Sequence, residues 1–142
     1  MVLFDIRRDK SHAGFIHAVN RSLDAEPNHV YLNQHGYVCS PMWWEQFDQG
    51  ELVIKTESGN VLWVGARLDG FNEEEYVIEF LSKDQSIVYD RTGYWADHPI
   101  QVGDQLSITL VNVELHFPTG NTTWVVDARG EWTPATETHT CD

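Results

Sequence analysis

The sequence predicts an α+β fold: a single domain in which one mainly antiparallel sheet carries an N-terminal helix packed on it. Three observations lead there. One stretch near the N-terminus has helical apolar spacing, and almost everything after residue 28 reads as strand. The strands are separated by turns of about four residues, which makes neighbours antiparallel. No helix-length crossovers intervene, which argues against a parallel α/β sheet. Six to eight strands are expected, in a curved sheet or a partly open β-barrel. The expected domain covers residues 1–132. Residues 133–142 read as a flexible tail, rich in Thr, interrupted by Pro134 and without periodicity.

Residues 2–6 are short and apolar and are expected to form a strand. In residues 11–25, Phe15, Ile16, Val19 and Leu23 recur three and four apart, the spacing of one helix face. Ser11 is the expected cap and Pro27 the stop, while Gly14 weakens the first turns. A shorter helical turn is expected over residues 41–48, with Pro41 at a first helical position and Gly50 just past the end.

The remaining segments pair as hairpins. Residues 29–32 and 37–39 read as strands around Asn33-Gln34-His35-Gly36. Residues 51–56 and 61–68 flank Glu57-Ser58-Gly59-Asn60, and residues 76–81 and 86–90 flank Ser82-Lys83-Asp84-Gln85. Residues 105–117 form one long strand, and residues 122–129 return after Pro118-Thr119-Gly120-Asn121. In the long strand the apolar face switches from Leu106, Ile108 and Leu110 to Val111, Val113, Leu115 and Phe117. Such a slip marks a β-bulge or sharp coil, or a half buried on both faces.

The chain has 142 residues, 42% of them hydrophobic and 12% aromatic, enough to build a core rather than remain disordered. Its 22 acidic and 9 basic residues leave a formal charge of −13, which argues against direct binding to nucleic-acid phosphates. The charge is uneven. Residues 1–40 hold four acids and four bases, residues 41–91 eleven and four, and residues 92–142 seven and one. An acidic field steers a basic partner, although it also serves solubility. The densest run contains Asp69, Glu73, Glu74 and Glu75, with Phe71 as an exposed anchor. Together with Trp43, Trp44, Tyr94 and Trp95 it has the composition of a binding surface, in which acids orient and aromatics anchor. Adjacent Trp43 and Trp44 on one short helix cannot both point inward.

Motifs for chemistry are sparse. There is no Gly-x-Ser-x-Gly elbow, no cysteine signature and no phosphate-cradling glycine loop. Two weak acid–base candidates stand out: Asp97 with His98 in an aromatic loop, and Glu114 with His116 two apart on a strand face. The seven histidines and two cysteines show no metal-binding spacing, and the His139, Cys141 and Asp142 group sits in the tail. No metal and no cofactor are expected, and the enzyme question leans to no. No apolar run reaches a membrane span, and the N-terminus places apolar before basic residues, the reverse of a signal peptide. The expected compartment is the cytoplasm, where a Cys39–Cys141 disulfide is disfavoured.

Small size, acidity and the lack of catalytic motifs are similar in character to immunity proteins of bacterial toxin systems, although no family motif is matched. The leading expectation is an acidic, intracellular, protein-binding inhibitor that neutralises a basic toxin or nuclease by occluding its active site. One alternative is a small-ligand-binding barrel or enzyme whose mouth is lined by Trp43, Trp44, Tyr94, Trp95 and His98. The other is a structural or assembly subunit without catalysis.

Overall fold

A computed structural model describes residues 1–10, 12–68 and 74–135. Its six strands are β1 (Val2–Asp5), β2 (Ile54–Leu68), β3 (Glu74–Ser82), β4 (Gln85–Tyr89), β5 (Gln105–Phe117) and β6 (Gly120–Thr133). They form one antiparallel sheet in the order β1-β6-β5-β2-β3-β4. β1 and β4 are its two edges, so the sheet is open and the partly closed barrel is not formed. Three α-helices accompany it: α1 (Ala13–Ala25), α2 (Val30–His35) and α3 (Pro41–Gln49). The α+β class is as expected; α1 and α3 stand where a helix and a shorter helical turn were expected, and α2 is additional.

α1 forms where the apolar spacing places it, burying Val19 and Leu23. It stops at Glu26, whose backbone is already extended before Pro27. The expected cap, Ser11, lies outside the described residues; His12 stands at the helix start without a side-chain cap. α3 follows its local signals closely. The Ser40 hydroxyl accepts the Trp43 backbone N–H at 3.2 Å, Pro41 opens the helix, and Gly50 closes it at φ +74°.

The expected strands at 29–32 and 37–39 are corrected by α2. This helix has six residues, too few to persist on propensity alone. Tertiary contacts hold it instead. The Tyr31 side chain is buried, and its hydroxyl accepts the Trp43 indole N–H at 3.1 Å.

The hairpin expected at residues 57–60 is also corrected. β2 runs straight through Glu57-Ser58-Gly59-Asn60. Gly59 is there for proximity rather than for turning: a Cβ would lie 1.4 Å from the Leu81 carbonyl oxygen of β3. The register with β3 slips once, from Val61↔Phe80 to Trp63↔Glu79, so β2 carries one extra residue. That bulge brings Val61, Val64 and Ala66 to one face. The hairpin between β3 and β4 forms as expected, tightened to Lys83 and Asp84, with φ of +49° and +66°. Positive φ at both positions matches the twist of the strands it joins.

The chain divides into two compact units. Unit 1 comprises the described parts of Met1–Phe4, Thr56–Ile108 and Arg129–Asp142. Unit 2 comprises Asp5–Lys55 and Thr109–Ala128, and the divisions fall within β1, β2, β5 and β6. The expected change of phase in β5 appears in its burial: Leu106 and Ile108 are buried in unit 1, then Val111, Val113 and Leu115 in unit 2. Thr133, expected in the tail, belongs to β6. In unit 1, Phe4 packs on Tyr94 with ring centroids 4.3 Å apart and fills the space beside Gly130. In unit 2, Trp43 is fully buried against Trp44 and Phe47.

The two glycines make opposite predictions. Gly59→Ala should lower the unfolding free energy by about 3 kcal/mol or prevent folding, because backbone must move. Gly14→Ala, with open space around it, should raise it by about 0.5–1 kcal/mol. Urea denaturation of both variants measures the difference.

Candidate functional site

The larger cleft belongs to unit 1 and has a volume of about 810 Å³. Val64 and Ala66 of β2 form its floor, on the face that the bulge exposes. Tyr76 of β3 pairs with Ala66 across the strands and stands 55% exposed. Trp95, His98 and Ile100 come from the loop before β5, and Glu75, Asp90 and Thr92 also line it. Trp95 lies with its ring 6.1 Å from Tyr76 and is only 3% exposed. Its indole N–H is buried without an acceptor, which costs about 1–3 kcal/mol. Among the described residues two carboxylates and no Lys or Arg line this cleft, and its walls are aromatic.

Asp104 positions the loop that supplies His98 and Ile100. It is 4% exposed. One oxygen accepts the Gln101 N–H at 2.8 Å and the Trp132 indole N–H at 2.9 Å, and the other accepts the Ala135 N–H at 2.9 Å. Trp132 in turn meets the His98 ring edge-on at 5.7 Å. Burial by itself raises the Asp104 pKa, but the three donors outweigh it and hold the carboxyl below the usual aspartate range.

Unit 2 has two smaller clefts. One, of about 380 Å³, lies at the start of α1 and is lined by Arg7, Asp9, Lys10, His12, His17 and Trp44, among others. The Arg7 guanidinium stacks 4.3 Å from the Trp44 ring and meets Asp48 at 2.6 Å. Cys39, also on this lining, is a free thiol whose pKa burial pushes up to about 11, so it is not a nucleophile at neutral pH. The other cleft, of about 270 Å³, includes Tyr31, His35 and Glu114.

The residues singled out from sequence are distributed as follows. Asp69, Phe71 and Glu73 lie outside the described residues, as does the side chain of Glu74; Glu75 lines the unit 1 cleft. Trp43, Tyr94 and Trp95 are buried, and Trp95 also lines the unit 1 cleft. Trp44 is half-buried, as the Trp43-Trp44 argument requires. The barrel mouth lined by five aromatic and imidazole groups is not assembled: Trp44 lines a unit 2 cleft, while Trp95 and His98 line the unit 1 cleft.

Asp97 is exposed and does not line the cleft that includes His98. Glu114 and His116 are both exposed; Glu114 faces the 270 Å³ cleft, and the His116 Nδ1 contacts Asn121 at 2.9 Å. Among the described residues no group of three or more His, Cys, Asp and Glu side chains could hold a metal. His139, Cys141 and Asp142 lie outside the described residues.

Sequence reasoning did not single out Glu26 or Asp90, and it counted Asp104 only among the acids of a binding surface, whereas Asp104 is buried. No spacing rule finds a carboxylate whose partners are backbone N–H groups, because those donors have no residue identity. No protein-family model matches the chain, and no curated protein is significantly similar to it.

Because the folded-state pKa of Asp104 is depressed, its contribution is present above the unfolded value of about 3.9 and is lost as pH falls through the lower folded value. Asp104→Asn should lower stability at neutral pH by about 2–3 kcal/mol. It should also flatten the acid limb of the stability curve below about pH 4. Thermal melts from neutral to strongly acidic pH check both.

Proposed function

We propose that the protein is a cytoplasmic, non-catalytic, protein-binding inhibitor that captures a basic partner in the unit 1 cleft, as an immunity protein captures a toxin or nuclease domain. The observation that carries this reading is the lining of that cleft. Glu75 and Asp90 bring negative charge, Tyr76 offers an exposed aromatic face, and among the described residues no Lys or Arg lines the cleft. In sequence the acidic run of residues 69–75 leads directly into Glu75.

The physical division of labour follows. A chain with a charge of −13 attracts a basic surface over a Debye length of about 8–10 Å. Carboxylates at the rim speed encounter and fix orientation, and a desolvated aromatic contact slows release. A volume of about 810 Å³ suits an inserted Lys- or Arg-bearing loop of a partner. Occluding the partner's active site then needs no chemistry from this chain. No helix of the described residues is long and apolar enough to cross a membrane.

The test is affinity capture from the native host at low and high salt, followed by kinetics with the captured protein. A basic protein should be retained at low salt and released at high salt, with its own activity inhibited at one-to-one stoichiometry. Glu75→Lys combined with Asp90→Lys should slow association about tenfold at low salt. Tyr76→Ala should accelerate dissociation instead. A captured partner whose binding ignores both variants would overturn the placement in this cleft.

A further inference from the structure

We infer that Trp95 is the residue by which the unit 1 cleft selects its occupant: its indole N–H takes a main-chain carbonyl that adjoins a Lys or Arg side chain. This rests on the reading of that cleft as the partner site and deepens it. The observation behind it is an unpaired donor. Trp95 is 3% exposed and lines the cleft, and its Nε1 has no acceptor. Other buried indoles are satisfied: Trp43 donates to the Tyr31 hydroxyl at 3.1 Å and Trp132 to Asp104 at 2.9 Å. Trp124 Nε1 is also buried without an acceptor, but Trp124 packs edge-on against Phe15 and lines neither the unit 1 cleft nor the two of unit 2. A buried donor without a partner is rare in folded proteins, and a ligand that supplies the acceptor removes its cost.

The chemistry of the lining narrows the ligand. The indole N–H needs an acceptor, whereas Glu75 and Asp90 favour a cation. Lys and Arg side chains have donors only and cannot serve Trp95. A carboxylate acceptor would enter a cleft that already holds two like charges. A neutral carbonyl avoids that repulsion. A peptide carries both groups on one residue, the carbonyl in its backbone and the cation at the end of its side chain. Val64, Ala66 and Ile100 offer apolar surface to the methylene stem between them. A simple alkylamine meets the carboxylates alone and leaves Trp95 unpaired.

The Trp95 N–H lies within the cleft wall, so a carbonyl reaches it only as that wall adjusts. The Tyr76 ring is 6.1 Å from that of Trp95, and Tyr76 is 55% exposed. A ring so exposed turns aside without opening a void in the core. Between β4 and β5 the chain that carries Trp95 has one short 3-10 turn, Thr92–Tyr94, and is anchored at its far end by Asp104. Side-chain adjustment of this kind at an interface is common where the backbone itself moves little.

The test uses the intact protein and needs no partner. It is titrated at low ionic strength with the N-acetyl methylamides of lysine and arginine, and with butylammonium, which keeps the lysine cation and lacks the carbonyl. Indole N–H resonances are followed by NMR. The two amides should bind saturably, about tenfold more tightly than butylammonium, and should move the Trp95 indole proton downfield. Trp95→Phe should lower the affinity for the lysine amide to that for butylammonium and leave butylammonium itself unaffected; a merely structural role would weaken both. The comparison of ligands on the unaltered protein decides the matter even if Trp95→Phe does not fold. Equal affinity for amide and amine, no saturable shift, or a Trp95 resonance that stays in place at saturation would overturn the inference. The two readings fail separately: amides that do not engage Trp95 remove this one, while the partner's response to Glu75→Lys with Asp90→Lys tests the cleft itself.

Discussion

Buried carboxylates that accept backbone N–H groups organise both units, because each sits where regular structure leaves those donors without partners. Glu26 is 2% exposed; one oxygen accepts the Tyr31 N–H at 2.8 Å and the other the His116 N–H at 2.9 Å. Asp104 does the same in unit 1 with three donors. A buried charge is tolerable only when it is hydrogen-bonded on this scale. Bonds to a charged acceptor contribute about 1.5–3 kcal/mol each, enough to hold loops that have little apolar packing of their own.

The segment around Glu26 shows what such an anchor permits. Asn28 and His29 both adopt positive φ, at +62° and +48°, a conformation that costs about 1–3 kcal/mol for residues other than glycine. The reversal between α1 and α2 needs it, and the bonds from Glu26 to α2 and β5 hold the chain there. Trp43 then reaches Tyr31, and the Asn20 side chain bonds the Val38 backbone in both directions, at 3.2 and 2.8 Å. Unit 2 is thus a set of short helices held by specific polar contacts around a small apolar core. In unit 1 the counterpart is the loop from Trp95 to Asp104, whose anchor sets one wall of the larger cleft.

The two clefts differ in their charged groups. One is lined by Glu75 and Asp90, the other by Arg7, Asp9, Lys10 and two histidines. Along the sequence this appears as a neutral first forty residues and an acidic remainder. In the folded chain, Arg7 and Lys10 of that segment line the smaller cleft together with Asp9, while Glu26 is buried and Asp24 accepts the Tyr37 hydroxyl at 2.6 Å.

Local chemistry by itself determined α1, α3, the β3–β4 and β5–β6 hairpins and the slip of phase in β5. In each, the signal lies within a few residues: apolar spacing, a Ser-Pro start, a Gly stop, or a two-residue turn. It also determined that Trp43 and Trp44 could not both be core. Only the tertiary structure decided the rest. Residues 29–32 read as a strand, but the Glu26 carboxylate, five residues before Tyr31, and the Trp43 indole, twelve after it, hold residues 30–35 as a helix. Ser58-Gly59-Asn60 has the composition of a turn, and its glycine instead lets β2 and β3 approach within contact of Leu81. The candidate clefts belong to this second class, because they join residues whose proximity follows from strand order, one bulge and buried backbone acceptors, none of which has a residue pattern of its own.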